Sequence, residues 1–391
     1  MEPGKHVLIY EPRGDGHHVG WLGFIVEDLL GAGFTLTLAL DTRAEAMKRV
    51  ESQMADLLRR VKVIPAFSSP NSKAISTARV AACLKQSGAA LAFLANFNDI
   101  ASAIFRRAAF GLMPDEDLRG RFGGIYFRPL FLGASPLLPN QALKKIGFRR
   151  LVKNGWLNPL LMIDPRLCGL AQKKYPSAPV HLLADPYPDN FHADRAAARR
   201  QFHLPDDKFV FLFYGGGYKR KGLHLVAGAM LKMPAPSRAF LLCAGLQQKN
   251  EKLALDLEML RSRGQAVIVN RYVSAEEEKQ LFAACDMVLL PYIRHLDGSG
   301  VLSRAAGAGK PALASDEYLV GHVVRSCGMG LLFPSGDVSE LRNRIEQAAS
   351  AGADELAEWQ AGARAYAKTC SREAFRTALI AAVESALAAQ K

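Results

Sequence analysis

The sequence predicts an α/β protein with two doubly wound, Rossmann-like domains that face each other across a cleft. Its 391 residues are too many for one ordinary core. Short β-branched and aliphatic runs alternate with longer Ala- and Leu-rich stretches, which is typical of parallel sheets covered by helices. This alternation occurs twice, and the Pro-rich segment 185–191 (DPYPDNF) separates the two halves.

Each half begins with a strongly apolar strand that leads into a Gly-rich turn. In the first half, HVLIY (6–10) precedes a helix from about Val19 to Leu30, and further strand-like runs are 35–40, 61–65, 90–95, 124–129 and 181–185. In the second half the runs are 209–217, 240–245, 266–270, 287–292, 311–315 and 330–333. A last helix is predicted over 371–388, with Ser371 as its N-cap. The predicted domains are therefore 1–187 and 188–370, followed by the helical segment 371–391.

The composition indicates a globular, cytoplasmic protein. Hydrophobic residues make up 49% of the chain and charged residues 22%. The sequence shows neither a secretory leader nor an apolar run of the roughly 20 residues that a membrane span needs. The six cysteines include no C-x-x-C pair, so we expect reduced packing residues and neither disulfides nor a zinc site.

The net charge of +13 is concentrated in one region. Residues 118–163 contain no Asp or Glu, and five of their cations fall in one predicted helix, Lys144, Lys145, Arg149, Arg150 and Lys153. With the apolar residues between them and Trp156 just beyond, they predict contact with an anionic membrane surface. The alternative is a solvated helix whose Lys and Arg stems cover the core. No nucleic-acid-binding motif accompanies the charge.

The first Gly-rich turn, EPRGDGHHVGWL (11–22), precedes a helix whose free amides suit an anion. Gly14 and Gly16 allow a tight turn, and His17 and His18 either donate to a substrate or satisfy the loop backbone. The glycine spacing does not match G-x-G-x-x-G, which argues against a nicotinamide-dependent oxidoreductase.

The second turn lies in YGGGYKRKG (214–222) and combines glycines with cations just before a helix. Such a turn suits a diphosphate, whose charge the cations neutralise as it leaves. A surface turn with solvated charges is the alternative. The residues concerned are Gly215, Gly216, Lys219, Arg220 and Lys221.

The third turn follows MVLLPY (287–292) and reads LDGSGV. Gly298 lets the chain turn, and the amides of Ser299, Gly300 and Val301 are predicted to hold phosphate oxygens at the start of a helix.

Polar residues also follow two strands of the first half. Asn96, Asn98 and Asp99 follow the run 90–95, where we expect groups that bind an acceptor substrate, although Asp99 as a helix cap is the alternative. Arg128 ends the run 124–129 and either faces the cleft or forms an ion pair.

Four motifs occur in the second half in a fixed order, KGLHLVAGAM, AVIVNRYVSAEEEKQLFAACDMVLLPY, GSGVLSRAAGAGKPALAS and GLLFPSGDVSELRNRI. In order and spacing, over about 205–350, they resemble the donor domain of the family 4 retaining glycosyltransferases. GDGHHVGWL stands where that family has its glycine loop. The resemblance implies the GT-B fold, in which the second domain mainly holds the donor, the first holds the acceptor, and the C-terminal helix crosses back to the first domain.

The resemblance also implies roles for single positions. Lys221 matches the diphosphate-binding lysine of the family. The segment Arg271-Tyr272-Val273 falls where the family's chain passes the nucleotide base. The Arg that the family usually has beside the glycine is replaced by Gly216, and Lys219 or Arg220 would compensate for it.

Two positions depart from the family's pair of glutamates, which have seven residues between them. Here they are Leu296 and Arg304. The first glutamate normally lies near the transferred sugar, and Asp297 next door would substitute for it. The second normally accepts hydrogen bonds from ribose hydroxyls, and Arg304 has only donors. Arg304 would instead contact a phosphate or pair with an acid.

The predicted activity is therefore retaining transfer of a hexose-like sugar from a UDP- or GDP-sugar to a glycan or lipid-linked acceptor. The predicted catalytic residues are Lys221, Asp297, His18 and Arg128. We recognise no metal motif, so neither a divalent metal nor a cofactor is expected. The alternative is a catalytically silent GT-B protein that binds a sugar nucleotide or a partner, since both glutamates are absent.

Overall fold

The structure, a computed structural model, describes residues 5–13, 17–69, 75–133, 139–234, 236–248 and 250–390, with only the backbone of His17. The chain forms two compact units. Unit 1 consists of Met1–Leu183 and Phe375–Lys391, and unit 2 is Ala184–Ala374.

Unit 1 is built around a parallel sheet. In its described part the strands are β1 (His6–Glu11), β2 (Thr35–Leu40), β3 (Lys62–Pro65), β4 (Leu91–Leu94), β5 (Phe122–Ile125), β6 (Leu160–Met162) and β7 (Val180–Leu182). Their order is β3-β2-β1-β4-β5-β6-β7. The helices between them are α1 (His17–Gly31), α2 (Ala44–Leu58), α3 (Thr77–Ser87), α4 (Asn98–Ala109), α5 (Pro139–Lys153) and α6 (Pro165–Lys174).

Unit 2 repeats this plan with a second parallel sheet. Its described strands are β8 (Phe209–Tyr214), β9 (Ala239–Ala244), β10 (Ala266–Val269), β11 (Met287–Leu290), β12 (Ala312–Ser315) and β13 (Gly330–Phe333), in the order β10-β9-β8-β11-β12-β13. The helices are α7 (Arg195–Gln201), α8 (Leu223–Met230), α9 (Glu251–Ser262), α10 (Ala275–Ala284), α11 (Gly300–Gly307), α12 (Tyr318–Cys327), α13 (Val338–Ala349) and α14 (Ala353–Thr369). The two sheets confirm the predicted α/β architecture with two Rossmann-like domains.

The central strands are continuous apolar runs because helices cover both faces of a parallel sheet. All four residues of β4 and of β11 are buried. Strand β6 is missing from the predicted elements, since it is only three residues long and Pro159 directly precedes it. Strand β5 begins at Phe122, two residues before the predicted run 124–129.

The C-terminal helix, α15 (Arg372–Ala388), belongs to unit 1 from Phe375 onward. The hydroxyl of Ser371 accepts from the amide of Ala374 at 3.1 Å, as an N-cap does. The Phe375 ring packs edge-on against Trp21 at 5.4 Å between ring centroids. The chain therefore returns to its first domain, as predicted.

The basic helix of the sequence is α5, and its side chains have different environments. Arg149 and Lys153 are exposed, whereas Arg150 donates to the carbonyl oxygens of Ala108 and Ala109. Lys144 and Lys145 are half-buried. No helix in the described ranges is both long enough and apolar enough to cross a bilayer.

The prediction that Trp156 contacts a membrane is wrong. Its side chain is 2% exposed, and it belongs to the hydrophobic core of unit 1. The guanidinium carbon of Arg119 lies 5.8 Å from the centroid of its ring. A side chain in this position cannot reach a lipid surface without unfolding its surroundings.

Candidate active site

The order of the second sheet reverses between β8 and β11, so the loops that leave these strands diverge at their carboxyl ends. In open α/β sheets this is where ligands bind. One loop carries the three cations 219–221 and the other carries the turn 297–300. Unit 2 therefore places both predicted phosphate-binding segments on neighbouring loops.

The two loops are held together through their backbones. The amide of Ile293 donates to the carbonyl oxygen of Arg220 at 2.9 Å. Gly222, with a φ of 76°, packs against Pro291, and a Cβ at this position would overlap the Pro291 carbonyl. The left-handed conformation and the close approach both require glycine.

Lys221 is positioned by an aromatic ring. Its ammonium nitrogen lies 3.9 Å from the centroid of Tyr292, which is within the range of a cation–π interaction. The Tyr292 hydroxyl lies 3.1 Å from the hydroxyl of Ser299, in the other predicted phosphate-binding segment. Tyr292 thereby connects the cation to the turn.

His295 bridges the same two loops. Its Nδ1 lies 3.0 Å from Nη1 of Arg220, and its Nε2 lies 3.0 Å from the carbonyl oxygen of Gly298. A guanidinium only donates and a carbonyl only accepts, so we assign a neutral ring with its proton on Nε2. Burial, and next the positive charge of Lys221, lower the pKa of His295 to about 4.

The turn 297–300 leads directly into α11. Ser299 is the N-cap, and its hydroxyl accepts from the amide of Leu302 at 3.4 Å. The first amides of a helix have no partner within the helix, so those of Gly300 and Val301 suit an anion. Because its hydroxyl is engaged in the cap, Ser299 would contribute its amide to a phosphate.

Arg304 pairs with an acid. Its Nε lies 2.7 Å from Oε1 of Glu278 on α10, and its Nη1 donates to the carbonyl oxygen of Gly300 at 3.0 Å. The charge of Glu278 also acts on the hydroxyl of Tyr214, at the end of β8. Burial, and next the charge of Glu278, raise the pKa of Tyr214.

Asp185 is a further carboxyl group in unit 2 and is only partly exposed. The surrounding protein raises the pKa of Asp185 to about 6, mainly by burial. The negative charge of Asp297 raises it as well, whereas the positive charges of Arg304 and Lys221 oppose the rise. The charges of Asp297, Arg304 and Lys221 therefore all act on the carboxyl group of Asp185. Leu296, which directly precedes Asp297 in the sequence, is half-buried.

The segment 271–273 lies in the loop between β10 and α10. Arg271 forms an ion pair with Glu277, at 2.5 Å between Nη2 and Oε1. This interaction is the main reason why the pKa of Glu277 is lowered to about 2. Tyr272 is 83% exposed, and Val273 packs against the core of unit 2.

The glycines after β8 contact the loop after β9. The side-chain amide of Gln247 donates to the carbonyl oxygens of Gly215 at 3.4 Å and Gly245 at 2.6 Å. Gly216 lies under the ring of Tyr218, and Lys219 and Arg220 are exposed. Lys219 thus remains on the surface near the turn.

Unit 1 has its own cluster at the point where its strand order reverses, between β1 and β4. Glu11 accepts from the amide of Arg13 at 2.9 Å and lies 3.3 Å from Nδ1 of His18. Arg13 pairs with Asp99 at 2.5 Å. Burial raises the pKa of Asp99 although Arg13 opposes the rise, and one carboxylate oxygen of Asp99 has no hydrogen-bond partner in the described structure.

The other predicted residues of unit 1 lie around this cluster or outside the description. The side chain of Asn98 accepts from the amide of Arg128 at 3.3 Å. Asn96 donates to Asp99 at 3.3 Å. Gly14 and Gly16 lie outside the described residues, as does the side chain of His17.

The expectation that the chain has no metal motif overlooked one acidic triplet. Asp115-Glu116-Asp117 has the D-x-D pattern, and it forms an exposed turn after α4. The Asp115 side chain accepts from the amide of Asp117, and Glu116 lies 3.9 Å from Arg119. Among the described residues no group of three or more His, Cys, Asp or Glu is arranged to hold a metal ion.

Sequence reasoning missed several residues of the site in unit 2. They are Asp185, Tyr214, Glu278, Tyr292 and His295. Glu278 is hidden in the run AEEEKQ, which is typical of a solvated helix start. His295 is adjacent to Leu296, a position that the family resemblance singles out. A histidine shortly before the Gly-Ser-Gly turn could therefore have indicated a residue of the site.

Comparison with known proteins gives a family match within unit 2. Residues 194–366 match the sequence model of the family described as glycosyl transferases group 1. No curated protein matches the chain. The matched range lies within unit 2 and spans somewhat less than half of the chain.

The solved structures that resemble this one share its fold at low identity. HepE from Anabaena, in complex with UDP, matches with a TM-score of 0.70 and 15% identity over 97% of this chain and 100% of its own. Sucrose-phosphate synthase from Thermosynechococcus elongatus gives 0.70 and 14% over 98% and 100%. WaaG, a glycosyltransferase involved in lipopolysaccharide biosynthesis, gives 0.65 and 16% over 97% and 98%. The fold is thus GT-B.

Proposed function

We propose that this protein is a glycosyltransferase that moves a sugar from a nucleotide-diphosphate sugar to a glycan or lipid-linked acceptor. One observation carries the proposal. Lys221 and the start of α11 lie on neighbouring loops at the switch point of the second sheet, linked through Tyr292. A cation beside free helix amides is suited to stabilise a leaving diphosphate. The group 1 family match and the UDP bound by HepE support this proposal.

The donor is proposed to be a UDP- or GDP-sugar, and transfer is proposed to retain the anomeric configuration. The resemblance to family 4 supports retention, and UDP-glucose bound by HepE supports a UDP-sugar. Asp297 would lie near the transferred sugar, and the first unit would bind the acceptor through His18, Asn98 and Asp99. Arg128 would act beside them. NMR of the product anomer tests retention, and an inverted product would contradict it.

The test of the proposal is the Lys221→Ala variant. Without the ammonium group, charge on the leaving diphosphate is less stabilised, so kcat should fall by about 100-fold or more. Activity is measured by release of the nucleotide from a panel of UDP-, GDP-, ADP- and dTDP-sugars. A melting curve should show an intact fold. Lys232→Ala removes an exposed lysine from the same unit and serves as the control. Unchanged turnover in Lys221→Ala would contradict the assignment.

We further propose that catalysis needs no divalent metal and that the protein works at the cytoplasmic face of a membrane, in polysaccharide or glycolipid synthesis. Arg149 and Lys153 are exposed on α5, and Phe110 beside the end of α4 is 72% exposed. Cations with an exposed aromatic ring are suited to an anionic lipid surface. Sedimentation with anionic vesicles at low salt tests this proposal, and no binding would refute it.

The proposal that catalysis needs no divalent metal is tested with EDTA. Loss of activity when EDTA is added would refute it.

A second candidate is a GT-B protein that binds a sugar nucleotide and transfers nothing. Leu296 and Arg304, at the positions of the family's two glutamates, favour it. The panel that tests Lys221 separates the two candidates, because transfer or hydrolysis of any sugar nucleotide excludes the silent protein.

A further inference from the structure

Glu278 is a buried carboxylate inside the proposed donor site. It is the third of three consecutive glutamates on α10 and is 8% exposed. Glu276 lies 3.0 Å from Lys279 and Glu277 pairs with Arg271, both near the surface. Glu278 alone of the three points to the interior, so it needs a separate explanation.

Two groups lie beside this carboxylate. Nε of Arg304 lies 2.7 Å from its Oε1, and the charge of the carboxylate acts on the hydroxyl of Tyr214. Arg304 supplies the opposite charge that a buried carboxylate requires. A carboxylate has about four lone-pair positions, so two contacts leave it able to accept further hydrogen bonds.

The position of the carboxylate indicates which ligand group it meets. Arg304 connects it to the carbonyl of Gly300, at the start of the helix whose first amides would bind the diphosphate. A carboxylate repels phosphate and accepts from hydroxyls. In a nucleotide diphosphate, the group next to the phosphates that offers such donors is the ribose, with its 2′- and 3′-hydroxyls. Carboxylates bind ribose in this way in other Rossmann-like sites.

We propose that Glu278 accepts hydrogen bonds from the ribose hydroxyls of the donor, with Arg304 holding it in position. This inference rests on the proposed function, since it assumes that unit 2 binds a nucleotide. It makes Glu278 a specificity-determining residue, which selects ribonucleotides over deoxyribonucleotides. Glu278 on α10 thus takes the place of the family's second glutamate, which would stand at position 304 on α11.

The experiment is isothermal titration calorimetry of the full-length protein with UDP, and with GDP and ADP if UDP does not bind. The nucleotide that binds is then compared with its 2′-deoxy and 3′-deoxy forms. Charge-assisted hydrogen bonds to hydroxyls predict about tenfold weaker binding of at least one deoxy form by the wild type. Glu278→Gln should weaken binding of the ribonucleotide by a similar factor and remove the discrimination.

The control is Glu276→Gln, which changes an exposed glutamate on the same helix and should bind like the wild type. If Glu278→Gln does not fold, the double variant Glu278→Gln/Arg304→Gln removes both charges and leaves neither unpaired. Equal affinity of the wild type for ribo- and deoxynucleotides would overturn the inference, as would full discrimination by either variant. If no nucleotide binds the wild type, the proposed function itself fails.

Discussion

His295 bonds Arg220 with one ring nitrogen and Gly298 with the other, so its neutral ring joins the two loops of the proposed donor site. Protonation would place a hydrogen on Nδ1, which now accepts from Arg220. The bridge therefore depends on the uncharged ring. A residue with this role fixes the cation and the turn relative to each other without needing to touch the substrate.

We predict that His295→Gln lowers the free energy of unfolding by about 1 kcal/mol at pH 8, the typical contribution of one hydrogen bond. The pKa of about 4 in the fold lies below the ordinary 6.5, so the unfolded chain binds the proton more readily. The stability that neutral His295 provides is present above pH 6.5 and is lost as the pH falls toward 4. The difference between wild type and variant should therefore shrink over this range.

Urea unfolding at pH 8, 6 and 4.5 measures this difference. His192→Gln is the control, because His192 is exposed in the same unit. A difference that stays constant with pH would show that the protonation of His295 does not affect the stability.

Arg304 shows why the sequence alone cannot predict the whole site. The resemblance places it opposite a ribose, and residue chemistry leaves a phosphate or an acid as its partner. The structure identifies the acid as Glu278, which is 26 positions earlier in the numbering (304 minus 278) and on another helix. The spacing to Leu281 and Phe282 places Glu278 on the buried face of α10, but it does not identify the partner of the carboxylate. Pairing between separate helices depends on tertiary packing, which local patterns do not encode.

At the level of elements, strands with a clear apolar run could be predicted, whereas β6 could not. HVLIY and FVFLFY indicate strands because the interior positions of β1 and all positions of β8 are apolar or aromatic. Strand β6 has three residues, and its neighbours β5 and β7 position it through pairing rather than through its own sequence. The extent of so short a strand is fixed by partners that are distant in sequence.

The connection between the loops after β8 and β11 predicts the effect of Gly222→Ala. The left-handed φ costs a non-glycine residue about 1–2 kcal/mol, and the new methyl group would displace Pro291. We expect a lower melting temperature and at least tenfold weaker UDP binding, because the loops that carry Lys221 and the turn are forced apart.

Gly228→Ala provides the matched control on α8, where the nearest atom to the added Cβ would be 3.8 Å away. Alanine also favours a helix interior, so this variant should be as stable as the wild type or more stable. Differential scanning fluorimetry with and without UDP measures both effects. Normal UDP binding by Gly222→Ala would show that the proposed site does not depend on this contact.

For the whole molecule, unit 1 is discontinuous in sequence, since it ends at Leu183 and is completed by Phe375–Lys391. The first unit therefore lacks part of its structure until the entire second unit has been synthesised. Phe375 contacts Trp21 and Phe24 of α1, and Arg376 pairs with Asp28 at 2.9 Å. An apolar contact and an ion pair thus fix the returning helix to one face of α1.

Phe375→Ala is predicted to destabilise unit 1 selectively. Its side chain is fully buried, and truncation of a buried Phe to Ala typically costs 3–5 kcal/mol. Amide hydrogen exchange should accelerate in α1, which the helix contacts, and remain unchanged in β8 and β11. Glu384→Ala alters an exposed position of the same helix and should leave both patterns as in the wild type. Acceleration confined to unit 2, or none at all, would mean that the C-terminal helix does not stabilise the first domain, because the contacts of Phe375 would then contribute nothing to its opening free energy.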